Sequence, residues 1–342
     1  MRYKLLGRSG LRVSELCLGT MTFGNTGWGS DESEARSIYA RFRDAGGNFL
    51  DTANEIYAQG RSEEVLGRLV ASHRDEMVIA SKYSLALPGS RDPNLAGNHR
   101  KSLRRSVESS LSRLGTEYLD LLWVHAWDDL TPVEETMRAL DDLVHQGKVL
   151  YLGISNAPAW VVAKCNMQAR SMGQTSFIAL QAEYNLIERS IEQELLPMAH
   201  DFGMGIAAWS PLAGGLLSGK YFNPQRQADS QRLDVARLGG LDEHGVQVAR
   251  RVVEVANRLG RSPSQVALNW LRASPSTIPL VGARTLAQLE DNLGCLEFTL
   301  DQDALAELGQ IGEPLLRYPQ SYLLRYRELL AAGFAQRIDL KA

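Results

Sequence analysis

The stretch FLDTANEIYAQGRSEEVLG, residues 49–67, contains one predicted strand and the start of one predicted helix. Its first residues form a short apolar run that stops at Asp51. A polar loop then carries Tyr57, and the helix is expected to begin near Ser62. A buried strand that ends in a carboxylate, with a phenol just beyond it, directs attention to the ends of the neighbouring strands.

The same unit, a short apolar run followed by an amphipathic segment, recurs along the whole chain. Such runs are typical of strands buried on both faces, and therefore of parallel pairing in an α/β protein. In chain order the eight predicted strands are 14–19, 48–53, 77–83, 119–125, 149–155, 177–184, 205–211 and 277–283.

The segments between these strands are predicted to be helices with recognisable ends. Thr131 and Glu134 indicate a capping-box start, and Gly147 marks the end of that helix. Ser262 and Gln265 repeat the start signal ahead of a later helix.

Eight strands that alternate with eight helices predict a (β/α)8 TIM barrel. A doubly wound sheet is the alternative, but its glycine-rich first turn, G-x-G-x-x-G, is missing here. We predict a single domain over 1–342, with an amino-terminal β-hairpin cap, a barrel over about 14–312 and a helical tail over 313–342. The polar stretch 222–242 is expected to be functional, because such long loops in compact domains usually are.

The amino-acid composition excludes some classes of function but does not identify one. The 342 residues are 44% hydrophobic and 23% charged, and a net charge of −3 gives no reason to expect nucleic acid or an anionic membrane as partner. Cys17, Cys165 and Cys295 are odd in number and lack C-x-x-C spacing, which fits a reducing compartment. With no signal peptide or membrane span evident, we expect a cytoplasmic monomer or homo-oligomer.

In this fold the active site lies at the carboxyl ends of the strands. On the second, third and fourth predicted strands those ends carry Asp51, Lys82 and His125, with Tyr57 in the loop after the second. Each residue alone is commonly structural. Four titratable groups at the mouth of an apolar barrel cost desolvation, however, and this cost favours a functional interpretation. No His pair has the spacing of metal ligands, so no metal is expected.

These residue types suit carbonyl reduction. A hydride added to a carbonyl carbon leaves negative charge on oxygen, which requires a proton donor and preorganised hydrogen bonds. Tyr57 would be the acid, Lys82 would favour its ionised form, Asp51 would neutralise Lys82, and His125 would orient the carbonyl. Tyr83 should point away from Lys82, because adjacent residues of a strand face opposite sides.

The chain resembles the aldo-keto reductases over residues 1 to about 312. The similar pieces are KLLGRSGLRVSELCLGTMTFG, FLDTA followed by Tyr and SEEVLG, ASKY, DLLWVH, GISN, QAEYN, WSPLAGGLLSGKY and IPLVGARTLAQLEDN. They are most similar to bacterial members of the type that includes potassium-channel β subunits and aryl-alcohol dehydrogenases. The resemblance implies that Asp51, Tyr57, Lys82 and His125 are the catalytic tetrad. One departure is that Tyr57 lies six residues after Asp51, where the family usually has five.

The cofactor implied by the resemblance is NADPH/NADP⁺. Gly214, Gly219 and Lys220 have P-loop spacing, but Tyr221 replaces the magnesium-binding hydroxyl residue, so a dinucleotide is favoured over a nucleoside triphosphate. Ser155 and Asn156 would bind the carboxamide, although they also suit a cap for the next helix. The full expected set is Ser155, Asn156 and Gln181 for the carboxamide, Trp209 for the ring, Ser210, Pro211, Leu212, Gly214 and Lys220 for the pyrophosphate loop, Arg284 and Gln288 for the 2′-phosphate, and Asp291 and Asn292 for adenine.

The substrate is less clearly indicated. Residues that are also ordinary packing residues are expected to wall an apolar pocket: the loop MTFGNTGWG, 21–29, with Phe23 and Trp28, then Trp127, and Tyr318, Tyr322 and Tyr326 of the tail. Aldehydes and ketones with an aromatic or aliphatic body are the expected class. Two alternatives stay open, namely a Schiff-base aldolase that uses Lys82 and a cofactor-binding sensor subunit with little turnover.

Overall fold

The computed structural model describes residues 1–25, 27–222, 243–334 and 337. Ten strands are described: β1 (Tyr3–Leu5), β2 (Arg12–Ser14), β3 (Cys17–Gly19), β4 (Phe49–Asp51), β5 (Val78–Tyr83), β6 (Leu119–Val124), β7 (Val149–Ser155), β8 (Phe177–Glu183), β9 (Gly205–Trp209) and β10 (Thr277–Gly282). The last eight form a closed parallel barrel in the order β10-β3-β4-β5-β6-β7-β8-β9. The predicted (β/α)8 barrel is confirmed, and the eight predicted strands correspond to β3–β10.

Twelve α-helices are described, and most of them surround the barrel. They are α1 (Glu32–Asp44), α2 (Arg61–Val70), α3 (Arg100–Leu114), α4 (Val133–His145), α5 (Ala159–Met172), α6 (Leu195–Phe202), α7 (Glu243–Leu259), α8 (Pro263–Arg272), α9 (Leu286–Leu293), α10 (Gln302–Ile311), α11 (Gln320–Arg325) and α12 (Arg327–Leu330). Among the described residues no helix is both long and apolar enough to cross a membrane. The predicted loop 222–242 lies outside the described residues except for Phe222.

The amino-terminal hairpin closes one end of the barrel. Strands β1 and β2 pair antiparallel, with Tyr3 opposite Ser14 and Leu5 opposite Arg12. Leu6 and Val13 are fully buried and belong to the same interior cluster as barrel residues such as Phe49. The predicted cap is therefore confirmed, and Ser14, expected at the start of the first barrel strand, belongs to the hairpin instead.

The two predicted capping boxes have different outcomes. At α8 the hydroxyl of Ser262 accepts a hydrogen bond from the Gln265 backbone, and the Gln265 side chain accepts one from Ser262, which confirms the prediction. At α4 the N-cap is Pro132, with no side-chain cap. The Thr131 hydroxyl donates instead to Asp128 Oδ2 at 3.0 Å, so the predicted box there is wrong because a nearer carboxylate takes the hydroxyl.

Alternation along the strands fills the barrel interior and also builds its functional rim. Val78, Ala80, Leu121 and Trp123 belong to the buried interior cluster, whereas Tyr83 packs in the cluster between strands and helices. Because side chains of a strand alternate between faces, the residue two positions beyond an interior residue also faces inward. By this rule the polar residues at the carboxyl ends of the strands continue the inward-facing rows. Tyr83 belongs to the other cluster, which confirms that it points away from Lys82.

Helices α2 and α3 approach each other closely at Gly67. A β-carbon built on Gly67 would lie 2.4 Å from the carbonyl oxygen of Leu114, at the end of α3. Real β-carbons do not come so near to backbone atoms. The SEEVLG segment therefore ends in a glycine that permits helix contact.

We expect Gly67→Ala to destabilise the protein, because the added methyl group forces α2 and α3 apart. Overpacking of this kind costs about 1–3 kcal/mol, more than an alanine gains in a helix. Gly309→Ala in α10 is the control, since a β-carbon there meets nothing within 4 Å. That variant should gain up to about 1 kcal/mol. Urea unfolding followed by circular dichroism measures both, and equal stability of the two variants would contradict the close-contact interpretation.

Candidate active site

Polar side chains meet where consecutive barrel strands end. Asp51 is the last residue of β4, Lys82 lies near the end of β5, and His125 directly follows β6. The structure brings these three residues together with Tyr57, as the sequence predicts for the catalytic set.

A buried ion pair lies at the centre of this group. The Lys82 and Asp51 side chains are only 1% and 2% exposed, and the lysine Nζ donates to Asp51 Oδ2. The same Nζ donates to the carbonyl oxygen of Thr52 at 2.7 Å. Gln181 Nε2 donates to the second oxygen of Asp51 at 2.8 Å. Gln181, expected only as a cofactor contact, therefore also supports the carboxylate.

The ammonium of Lys82 is held in its charged form. Burial alone would lower its pKa, but the charge of Asp51, the charge of Tyr57 and hydrogen bonds to both outweigh burial and raise the pKa of Lys82. A charged ammonium favours the ionised form of a phenol beside it.

Tyr57 reaches this ammonium despite the longer spacing from Asp51. The centroid of its ring lies 5.0 Å from Lys82 Nζ. The ring also meets the imidazole of His125 edge to face, with centroids 6.2 Å apart and an interplanar angle of 89°. The tyrosine therefore contacts both the lysine and the histidine.

A left-handed turn directly follows Tyr57. Ala58, Gln59 and Gly60 follow Tyr57 with φ angles of 51°, 58° and 89°. The Gly60 amide donates to the Tyr57 carbonyl at 3.0 Å, which closes a short 3₁₀ turn before α2. The chain thus reverses directly after the tyrosine, and its ring stays at the cleft.

His125 is neutral near physiological pH. Burial, and to a smaller degree the charge of Lys82, lower the pKa of His125 to about 3. Its Nδ1 is buried without a hydrogen-bond partner among the described residues. A neutral imidazole donates one hydrogen bond but carries no extra proton, so His125 suits orientation of a carbonyl better than acid catalysis.

A long cleft opens above these residues. Its volume is about 1390 Å³, larger than the roughly 300–1,000 Å³ of ordinary ligand pockets. Tyr57, His125 and Arg284 all line it. The described residues contain no group of three or more His, Cys, Asp or Glu side chains that could hold a metal ion. The cleft therefore suits an extended organic ligand together with a smaller one.

Of the expected carboxamide residues, Asn156 and Gln181 line this cleft, whereas Ser155 is not among its lining residues. Ser155 is fully buried, and its hydroxyl has no partner among the described residues, as is true of Trp209 Nε1. Asn156 lines the cleft with a φ of 47°, and its Nδ2 donates to the carbonyl of His125 at 2.8 Å. Neither Ser155 nor Asn156 caps α5, whose N-cap is Pro158. The helix-cap alternative is therefore wrong.

The loop after β9 forms another wall. Each residue predicted for it lines the cleft: Ser210, Pro211, Leu212, Gly214 and Lys220. Gly215 has a φ of 95°, and a β-carbon there would lie 2.9 Å from Lys220 Nζ. The absence of a side chain at Gly215 thus lets the lysine fold back against the loop.

The residues predicted for the 2′-phosphate and adenine all line the cleft. They are Arg284, Gln288, Asp291 and Asn292. The backbone amide of Arg284 donates to Gln288 Oε1 at 2.9 Å, just before the start of α9. An arginine at this position adds its charge to the positive end of the helix dipole.

The predicted substrate walls are only partly at the cleft. Trp28 lines it, but Phe23 is fully buried in the core, and Trp127 packs partly buried against that core. The tail tyrosines are not among the lining residues, and Tyr318 is 82% exposed. The structure therefore does not support Phe23, Trp127 or the tail as walls. Met21, like Trp28 a member of the predicted loop 21–29, does line the cleft, and so do residues that sequence reasoning missed: Ile56, Ala58 and Leu85.

Comparison with known proteins matches the chain to one family and to several of its relatives. Residues 15–313 match the model of the Aldo/keto reductase family, a range that contains all the predicted catalytic and cofactor-binding residues. A norsolorinic acid reductase from Emericella nidulans is 41% identical over 92% of this chain and 82% of its own length. An aldo-keto reductase from Aspergillus calidoustus is 36% identical over 93% and 84%, respectively. An uncharacterised oxidoreductase from Bacillus subtilis is 37% identical over 91% and 96%.

The lowered pKa of His125 predicts an acid-dependent loss of stability. Between its usual value of 6.5 and about 3, the unfolded chain takes up a proton at this residue while the folded chain does not. The free energy of unfolding should therefore fall as pH falls through this window, by up to about 1.36 kcal/mol per pH unit from this group. His125→Gln should show a shallower fall in urea unfolding measured across the window.

His145→Gln is the matched control, because the side chain of His145 is 73% exposed. An acid dependence in His125→Gln that equals that of the unaltered protein would contradict the burial of a neutral imidazole.

Proposed function

The chain belongs to the aldo/keto reductase family of oxidoreductases, and we propose that it uses NADPH to reduce aldehyde or ketone carbonyls to alcohols. One observation carries the proposal. A phenol and a neutral imidazole face a long cleft, and the phenol lies against a buried ammonium that is held in its charged form.

Tyr57 would donate the proton. As a carbonyl is reduced, its oxygen becomes basic and needs a proton from a positioned acid. The ammonium of Lys82 favours loss of the phenolic proton, and Asp51 keeps that ammonium charged inside a nearly dry site. His125 would donate a hydrogen bond to the same oxygen and so fix its position between the two rings.

The cleft fits a nicotinamide dinucleotide. NADPH, when bound, supplies the hydride. Asn156 and Gln181 line the cleft and would bind the carboxamide, together with Ser155, whose hydroxyl has no partner among the described residues and which directly precedes Asn156. Trp209, which also lines the cleft, would offer a flat face to the ring. Arg284, which lines the same cleft, would offer a charge for the 2′-phosphate and so favour NADPH over NADH.

The proposed substrates are aldehydes and ketones with an aromatic or aliphatic body. Apolar and aromatic residues are among those that line the cleft, for example Met21, Trp28, Ile56 and Leu85. Such walls suit the apolar body of a small carbonyl compound. We place the protein in the cytoplasm, since its three cysteines are buried and unpaired.

The Schiff-base alternative is not supported by the state of Lys82. An amine nucleophile needs a lowered pKa and access to the substrate. Lys82 instead has a raised pKa, is 1% exposed and is held by a carboxylate and a backbone carbonyl. A sensor role with little turnover differs from the proposal in a measurable way, because a sensor would bind NADPH tightly without consuming it.

We expect Tyr57→Phe to bind NADPH with unchanged affinity and to lose most carbonyl reduction, by about 10²–10⁴-fold in kcat. NADPH consumption with a panel of aldehydes and ketones measures turnover, and protein fluorescence measures binding. Tyr83→Phe is the control, since Tyr83 is fully buried in the outer core and should leave turnover intact. Undiminished turnover in Tyr57→Phe would refute its role as proton donor.

Arg284→Ala should weaken NADPH binding by about 10–100-fold, the contribution expected of a hydrogen bond between charged groups. The affinity for NADH should change much less, because NADH lacks the 2′-phosphate. Titration of both nucleotides into the variant measures the two effects. Arg41→Ala is the control, because Arg41 pairs with Glu290 of α9 but does not line the cleft. Equal losses for the two nucleotides would count against the phosphate contact.

A further inference from the structure

The loop that carries Tyr57 has an unfavourable backbone and must be held by its surroundings. Ala58 and Gln59 adopt left-handed conformations that residues with a β-carbon rarely take, and Gly60 continues the left-handed run. Residues of this kind persist only where neighbouring structure fixes them. The position of Tyr57 therefore depends on what anchors residues 54–60.

The start of the loop is anchored by Asn54. This side chain is 2% exposed, and its Nδ2 donates to the carbonyl of Leu85 at 2.9 Å and to the hydroxyl of Ser106 at 3.2 Å. Leu85 lies just beyond β5, and Ser106 belongs to α3. The first anchor thus ties the loop to both the lysine strand and a helix outside the barrel.

The end of the loop is covered by Arg113 of α3. Its aliphatic stem packs on Gly60 so closely that a β-carbon at Gly60 would lie 2.7 Å from the arginine Cδ. Its guanidinium lies 3.8 Å from the carboxylate of Glu55, inside the loop. Its Nε donates to Glu63 Oε2, in the first turn of α2, at 2.7 Å.

Glu63 links this arginine back to the catalytic strand. Its side chain is completely buried, and its other oxygen accepts a hydrogen bond from the Ser81 hydroxyl at 2.6 Å. Ser81 precedes Lys82 in β5, on the opposite face of the strand. Ser110 of α3 also hydrogen-bonds to Glu63. A continuous path of contacts therefore joins the back of the lysine strand to the turn after the tyrosine.

Ser106, Ser110 and Arg113 are spaced four and three residues apart, which places them on one face of α3. From these contacts we infer that Arg113 and Glu63 form a positioning pair that holds the 54–60 loop and keeps Tyr57 against Lys82. Neither residue lines the cleft, so they act through the tyrosine and not on the substrate. The inference rests on the proposed function, in which Tyr57 is the proton donor.

Arg113→Met, which keeps the stem but removes the charged bonds, is the first test. It should lower kcat by about 10–100-fold, because small displacements of a reacting group have effects of this size. The Kd for NADPH should stay unchanged, and Arg113→Lys should recover part of the loss. Arg105→Met is the matched control on the same helix, since Arg105 pairs with exposed Asp92 away from the loop. That variant should retain full turnover.

Measuring the effect of Arg113→Met in the Tyr57→Phe variant distinguishes a positioning role from a general effect on protein stability. In Tyr57→Phe the further change Arg113→Met should cause no additional loss of kcat, because the group being positioned is already absent. The double variant Arg113→Met/Glu63→Gln removes both charges of the buried pair, so it tests the same point if Arg113→Met alone fails to fold. Full activity of the folded variants, or an equal loss in the Tyr57→Phe background, would overturn the inference.

A readout without turnover keeps this inference distinct from the proposed function. Ultraviolet difference titration between proteins with and without Tyr57→Phe reports the ionisation of that phenol. Arg113→Met should raise the midpoint, since the phenol then leaves the ammonium that favours its ionised form. If NADPH consumption is absent with every carbonyl in the unaltered protein, the proposed function fails, and this titration still decides the positioning role. An unchanged midpoint would contradict it.

Discussion

The buried ion pair between Lys82 and Asp51 constrains the rest of the site. Two charges that leave water lose several kcal/mol of solvation each, and only close partners offset that loss. Here each partner comes from a different strand or loop: the carboxylate from β4, the amide of Gln181 from β8, and the phenol of Tyr57 from the loop after β4. The carboxyl ends of β4, β5 and β8 must therefore lie at the same level of the barrel, and the strand register of the closed barrel places them there.

The strands and their order could be predicted because each is an apolar run buried on both faces, a pattern that is typical of the parallel strands of α/β proteins. The same pattern placed the reactive groups, since a period of two extends the interior rows to the strand ends. β7, for example, has the same bounds as its predicted segment, Val149–Ser155. β3 is shorter than expected because Ser14 pairs in the hairpin, which the run of apolar letters does not reveal.

Contacts between distant segments could not be read in this way. Gln181 bonds to Asp51 across 130 residues, and Arg113 bonds to Glu63 across 50. A single sequence has no signal for such pairs, because each residue type is compatible with many surroundings. Competing local hydrogen bonds also limit what the sequence predicts. Thr131 has the residue type and position of a helix cap, but its hydroxyl donates to the carboxylate of Asp128 instead. Aromatic residues such as Tyr318 suggested a pocket wall, yet composition does not reveal which side of the barrel a tail follows.

Backbone strain in the described chain is concentrated at the same end of the barrel as the reactive groups. The non-glycine residues with positive φ are, apart from Ala332 in the tail, all in loops after barrel strands: Ala58, Gln59, Ser84, Asn156, Ser210 and Ala213. Three of them directly follow the last residue of β5, β7 or β9. A left-handed residue at that point turns the chain sharply as the backbone leaves the strand. Because each such residue costs about 1–3 kcal/mol, the anchors around it must be rigid. Contacts such as the hydrogen bond from Asn156 Nδ2 to the His125 carbonyl therefore help to fix these loops and the reactive groups beside them.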